Sequence, residues 1–190
     1  MYFPSNITFQ YFFFDTYPGY FLQVLPIALL VAAIWGFMKY KRDRNTPTLQ
    51  IFFSCAFVCY LTGLVCLVLL IKVISVGWYH LLYHRSSGIN IRLFIWDYNF
   101  IPNLFTHLDE EKIGNFIMFL PFGILYPLSK KTVTWKKTIL AGLLTSLTIE
   151  ISQPVFGRAF DINDIILNTL GVLISTFAFY LAAKHINKKY

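Results

Sequence analysis

The chain has 190 residues, of which 57% are hydrophobic, 19% aromatic and only 13% charged, and its formal net charge is +7. This composition excludes an ordinary soluble domain and is typical of a membrane protein with several spans. The basic residues are spread over short loops rather than gathered on one face, so the positive charge does not indicate nucleic-acid binding.

Five apolar segments are long enough to cross a bilayer, which needs about 20 residues per helix. They cover about residues 20–38, 51–74, 113–128, 138–154 and 164–183. The third segment carries Pro121 and Gly123, and a proline inside a membrane helix frees a carbonyl that neighbouring helices must satisfy. We therefore predict an all-α bundle of about five transmembrane helices, with the third packed inside.

The chain divides into two units on this pattern. Residues 1–75 contain an aromatic, nearly uncharged segment, YFFFDTYPGYF, followed by the first two helices. Such a segment is typical of the membrane–water interface. Residues 76–190 contain a second aromatic loop, which we also place at the interface, and the last three helices.

The distribution of lysine and arginine predicts the orientation, because cytoplasmic loops carry the excess. Eleven of the 16 lie in the 39–50 loop, the 129–137 loop and the C-terminal tail, and five lie on the other side. We therefore predict an N-terminus outside the cell and a C-terminus in the cytoplasm.

Cysteine and histidine residues give weak signals for a metal site. Cys55, Cys59 and Cys66 all lie in the second helix, where thiols cannot pair with each other, so we interpret them as packing residues. His80 and His84 could share a helix face as metal ligands do, but no acidic third ligand accompanies them. We predict neither a metal nor a cofactor.

The segment EISQPVFGRAFDIND, at residues 150–164, places polar side chains between two apolar helices. The predicted topology puts both of its ends, and the start of the third helix, on the outer side. Polar residues this close to hydrocarbon are energetically costly and are usually functional. The predicted binding or functional cluster consists of Asn115, Glu150, Gln153, Arg158, Asp161, Asp164 and Asn168.

Part of this cluster has a purely structural interpretation. Asp161 is suited to cap the fifth helix, with Asp164 at the third position of a capping box. Gly171 and Ser175 form a small-residue pair that lets helices approach closely. Capping does not explain Glu150 or Asn168, because neither lies where a helix end requires its side chain.

The second half of the chain carries four blocks in a distinctive order and spacing: Asn99 with Ile101-Pro102, GNFIMFLPFG at 114–123, Glu150 with Gln153, and Arg158 followed by DIND, Asn168 and Gly171. Over about residues 99–180 these blocks resemble the VanZ-like family. The resemblance implies a multi-pass protein of a bacterial cell membrane, since the family is named for a protein that gives Gram-positive bacteria low-level resistance to teicoplanin. Many relatives occur away from resistance genes, so the resemblance also permits a role in envelope maintenance.

Three hypotheses remain open from the sequence. In the first, the cluster is a non-enzymatic pocket for a membrane lipid, a lipid-linked cell-wall component or the tail of a lipoglycopeptide, and Arg158 pairs with phosphate or carboxylate. In the second, the chain is an intramembrane enzyme with Glu150 as the base, although the sequence shows no activated nucleophile. In the third, the cluster only locks helices together in a structural or partner-binding subunit.

Overall fold

A computed structural model describes residues 8–44, 46–102 and 110–187. Within these ranges the fold is almost entirely helical. The helices are α1 (Phe9–Asp15), α2 (Tyr17–Arg42), α3 (Thr48–Val65), α4 (Ile71–Tyr83), α5 (Glu110–Ser129), α6 (Trp135–Ser152) and α7 (Ile162–Asn187).

Five helical stretches of the described chain are long and apolar enough to cross a membrane. They are Tyr17–Arg42, Thr48–Tyr83, Lys112–Ser129, Trp135–Phe156 and Ile162–His185. The prediction of an all-α bundle with about five transmembrane helices is therefore confirmed. The orientation stays a prediction.

The second span is longer than the apolar pattern predicts. A π-helical turn, Cys66–Leu70, joins α3 to α4, so the helix continues past residue 74, where the prediction ended, to Tyr83. The extension is held by α2, since Trp78 Nε1 donates to the Gln23 carbonyl at 2.9 Å. The helix ends before His84, which adopts the left-handed conformation at its C-cap.

The third span, α5, lies inside the bundle and packs against α3, α6 and α7. Its Phe119 and Phe122 side chains are each only 1% exposed. Glycines permit this packing: a methyl group on Gly171 would overlap the Phe116 carbonyl oxygen, and one on Gly123 would overlap the Ser175 hydroxyl. The small residues of α7 are therefore required for close helix approach, as their spacing predicts.

The bundle has two ends of different character. The end that carries residues 84–102 and 153–161, which we call the site end, holds most of the predicted polar cluster. The opposite end, which we call the basic end, carries the turns at 43–47 and 130–134. At the basic end Lys131 forms an exposed ion pair with Asp43 at 3.5 Å, and the Tyr180 hydroxyl donates to the Val133 carbonyl at 2.6 Å.

Candidate functional site

Glu150 lies in the last turn of α6 and is 1% exposed. Its Oε1 accepts a hydrogen bond from Gln153 Nε2 at 2.7 Å, and its Oε2 accepts one from the backbone N–H of Asp161 at 3.3 Å. Both carboxylate oxygens are thus engaged. We call this set the Glu150 network, and it fastens the end of α6 to the start of α7.

Asp161 caps α7, as predicted. Its Oδ1 accepts from the Asn163 backbone N–H at 2.8 Å, which satisfies a donor in the first turn of the helix. The backbone N–H of Asp161, which the capping-box interpretation pairs with Asp164, donates to Glu150. Asp164 is half-buried and close enough to Glu150 to interact with it electrostatically.

A strap formed by residues 92–101 covers the Glu150 network. Two backbone bonds attach it to the 3₁₀ turn after α6, from Ile95 to the Pro154 carbonyl at 2.9 Å and from Phe94 to the Val155 carbonyl at 3.3 Å. Further along, Tyr98–Asn99 (β1) pairs in parallel with Phe160–Asp161 (β2). The strap therefore runs as an added strand beside the segment that carries the cluster.

Side chains reinforce the strap at its far end. Asn99 Nδ2 donates to Asp161 Oδ1 at 3.2 Å. Asn163 Nδ2 donates both to the Ile101 carbonyl at 3.3 Å and to Asp161 Oδ1 at 2.7 Å. Asn163 is completely buried. Both asparagine amides donate to the same oxygen of Asp161, Oδ1, and so help to position its carboxylate.

Arg158 is exposed and extends toward the second span. Gly157, with φ of 78°, turns the chain directly before it, in a backbone conformation that favours glycine. Arg158 Nη1 donates to the Val68 carbonyl at 3.4 Å. Val68 lies in the π-helical turn, where the regular hydrogen-bond ladder is interrupted and a carbonyl is available to an outside donor.

Arg158 is near the carboxylates of the cluster but, among the described residues, is not bonded to them. It lies close enough to Glu150 to interact electrostatically, but within the described chain it forms no direct ion pair. Most of its guanidinium donors are therefore not used by the fold.

Asn168 and Asn115 lie deeper than the Glu150 network. Asn168 Nδ2 donates at 3.0 Å to the hydroxyl of Ser146, which lies one helical turn before Glu150 on α6. Asn168 Oδ1 has no hydrogen-bond partner among the described residues. Because Gly171 packs on Phe116, the neighbouring Asn115 lies at this deeper level. Asn115 is half-buried and has no side-chain hydrogen bond within the described ranges.

The seven predicted residues therefore form two layers rather than one cluster. The upper layer contains Glu150, Gln153, Arg158, Asp161 and Asp164, and the lower layer contains Asn115 and Asn168. The difference arises because Asn168 follows Asp161 by seven residues along α7, and a residue two helical turns on cannot reach the same level.

Sequence reasoning missed four participants: Asn99, Asn163, Ser146 and Val68. Asn163 was not among the predicted site residues of α7, and Asn99 is 62 residues away from its partner Asp161. A signal was available for both asparagines, because they stand in the blocks that resemble the VanZ-like family. The carbonyl of Val68 has no sequence signal, since it depends on an irregular helical turn.

Comparisons with known proteins agree with this architecture. Residues 57–183, about two thirds of the chain, match the VanZ/LLP1 family. Protein VanZ from Enterococcus faecium is 37% identical over 92 residues, which are 48% of this chain and 57% of that relative. The chain thus spans little more than half the length of the relative that it matches. No solved structure matches.

The family match covers four of the five candidate membrane spans in large part, together with the strap and every residue of the predicted cluster. The chain is a multi-pass membrane protein that belongs to the VanZ/LLP1 family.

Proposed function

We propose that this chain is an envelope protein whose site end binds the phosphate- or carboxylate-bearing headgroup of a membrane lipid or lipid-linked cell-wall component. By occupying or sequestering that ligand, it gives low-level resistance to teicoplanin and related lipoglycopeptides. Membership of the VanZ/LLP1 family supports the link to resistance. The observation that carries the binding proposal is the exposed, mostly unused guanidinium of Arg158.

Arginine presents five N–H donors in a planar fork that matches phosphate and carboxylate. In Arg158 the fold uses Nη1 at 3.4 Å from the Val68 carbonyl. The rest of the fork is available to a ligand, and the bond to Val68 restricts its orientation. A bidentate ion pair made by such a fork is among the stronger polar contacts in proteins.

The strap supplies an apolar surface beside this charge. Phe94, Trp96 and Ile101 are 63%, 85% and 73% exposed. Aromatic side chains of this kind are enriched at the membrane–water interface. A ligand with both an anionic headgroup and hydrocarbon would contact the guanidinium and the apolar strap together, which favours a lipid over a soluble anion.

The geometry is less favourable to the enzyme hypothesis. A general base must reach the proton that it removes, but Glu150 is 1% exposed and both its oxygens accept hydrogen bonds from the protein itself. We therefore assign Glu150 to positioning: it holds the junction of α6 and α7 from which Arg158 projects.

The test is the teicoplanin susceptibility of a Gram-positive host that expresses the chain. We expect Arg158→Gln to lose most of the protection at normal abundance in the membrane, and Arg158→Lys to keep part of it, because lysine retains the charge but not the fork. Arg85→Gln is the matched control, since Arg85 is exposed at the same end and contributes the same charge.

Two outcomes would overturn the proposal. Full protection by Arg158→Gln would exclude the guanidinium as the ligand-binding group. An absence of protection by the unaltered chain, at verified abundance, would remove the resistance role.

A further inference from the structure

A pocket of about 330 Å³ opens at the basic end, between the end of α2 and the turns that follow α2 and α5. Its lining includes three cationic side chains, Lys39, Arg42 and Lys131, and one carboxylate, Asp43. The lining therefore carries a net charge of +2. Pockets of this volume are large enough for a small ligand or a lipid headgroup.

The fold neutralises little of this charge. Lys131 pairs with Asp43 at 3.5 Å, but the side chains are 65% and 46% exposed, and such exposed pairs are weak. The side chains of Lys39 and Arg42 form no ion pair or hydrogen bond with the rest of the described chain. Lys130 adds to the same field, since it interacts electrostatically with Lys39.

Asp43 is the one acidic side chain among the described residues that line the pocket. Other acidic residues of the described chain lie toward the site end, namely Asp15, Asp97, Glu150, Asp161 and Asp164. A pocket with three cationic side chains and a single carboxylate is suited to an anion from outside.

The position of the pocket indicates where this anion comes from. Trp35 and Met38 form part of the wall, are 44% and 57% exposed, and lie on a membrane-spanning helix directly before the basic residues. The pocket thus has an apolar wall at the level of the lipid hydrocarbon and basic residues at the level of the lipid headgroups. Basic pockets between transmembrane helices bind the headgroups of anionic lipids.

We propose that this pocket binds the phosphate headgroup of an anionic phospholipid from the leaflet around the basic end. Lys39 and Arg42 contact the phosphate, Gln50 in the lining can bond to headgroup hydroxyls, and Trp35 with Met38 contacts the upper part of the acyl chains. The site is separate from the site end and does not depend on the function proposed there.

The test is native mass spectrometry of the purified chain with equimolar phosphatidylglycerol and phosphatidylcholine. The unaltered chain should retain one phosphatidylglycerol in preference to phosphatidylcholine. Lys39→Gln with Arg42→Gln should reduce this preference about 20- to 30-fold, since both residues line the pocket and each direct contact of a basic side chain with the phosphate contributes about fivefold in affinity. The matched control, Lys136→Gln with Lys137→Gln, removes two exposed charges from the same end outside the pocket and should leave the preference within about twofold.

Three results would overturn the proposal. The first is no preference for phosphatidylglycerol by the unaltered chain, a measurement that requires no variant to fold. The second is an equal loss in the two double variants, which would indicate general charge attraction. The third is displacement of the lipid by an equal concentration of glycerol 3-phosphate, which would assign the pocket to soluble phosphate esters.

Discussion

Replacement of Glu150 by glutamine and by methionine should have very different effects on stability. In Glu150→Gln the new carbonyl oxygen can accept from the Asp161 N–H, while the new amide can donate to Gln153 if the Gln153 amide turns over. Both hydrogen bonds of the Glu150 network are then kept, although without the charge. We expect the free energy of unfolding to change by no more than about 1 kcal/mol.

Glu150→Met keeps the approximate volume but removes both acceptors. The Gln153 amide, in a residue 3% exposed, then loses its partner, and an unsatisfied buried donor costs about 1–3 kcal/mol. For a chain of this size about 1 kcal/mol corresponds to roughly 2–4 °C in melting temperature. The expected decrease is therefore about 2–12 °C, with a smaller addition from the half-buried Asp161 N–H.

The chain contains its own reporter for this assay. Cys66 is 5% exposed, so a thiol-reactive dye will label it on unfolding of the detergent-solubilised protein. Equal melting temperatures for the methionine variant and the unaltered chain would refute the role of the Glu150 network. A glutamine variant that keeps its melting temperature but loses resistance would refute the positioning role instead, because Glu150 would then act through its charge.

Two further predictions concern packing and orientation. Gly171→Ala should lower the melting temperature by about 2–12 °C, because its methyl group meets the Phe116 carbonyl and overpacking costs about 1–3 kcal/mol. The control, Gly77→Ala, has open space around the new methyl group and should leave the melting temperature unchanged or raise it. Equal shifts in the two variants would contradict the close packing of α5 and α7. The predicted orientation is tested by thiol labelling in a cysteine-free background. Ala159→Cys should react with a membrane-impermeant thiol reagent in intact cells, whereas Lys131→Cys should react only after permeabilisation. The reverse pattern would overturn the predicted orientation.

The features that sequence reasoning found are those with a local cause. The five spans follow from runs of apolar residues, and the cap at Asp161 follows from its place before an apolar helix. Each depends on neighbours a few residues away, which a single sequence displays.

The features that were missed depend on distant parts of the chain. Asn99 reaches Asp161 because β1 in the strap pairs with β2, which is only two residues long. No periodicity in either segment predicts that pairing. The bond of Arg158 to Val68 spans 90 residues and requires a π-helical turn. The two-layer arrangement of the cluster likewise depends on the level at which α5 meets α7.

The central claim, that Arg158 binds an anionic lipid headgroup at the site end, is tested most directly by photocrosslinking from Val155 in living cells. Val155 is 43% exposed and lies three residues before Arg158. With a photoreactive residue at this position, we predict crosslinks enriched in a phosphate-bearing lipid or lipid-linked cell-wall precursor, lost in Arg158→Gln and kept in Arg85→Gln. Crosslinks that match the bulk lipid composition and do not change in Arg158→Gln would contradict the account.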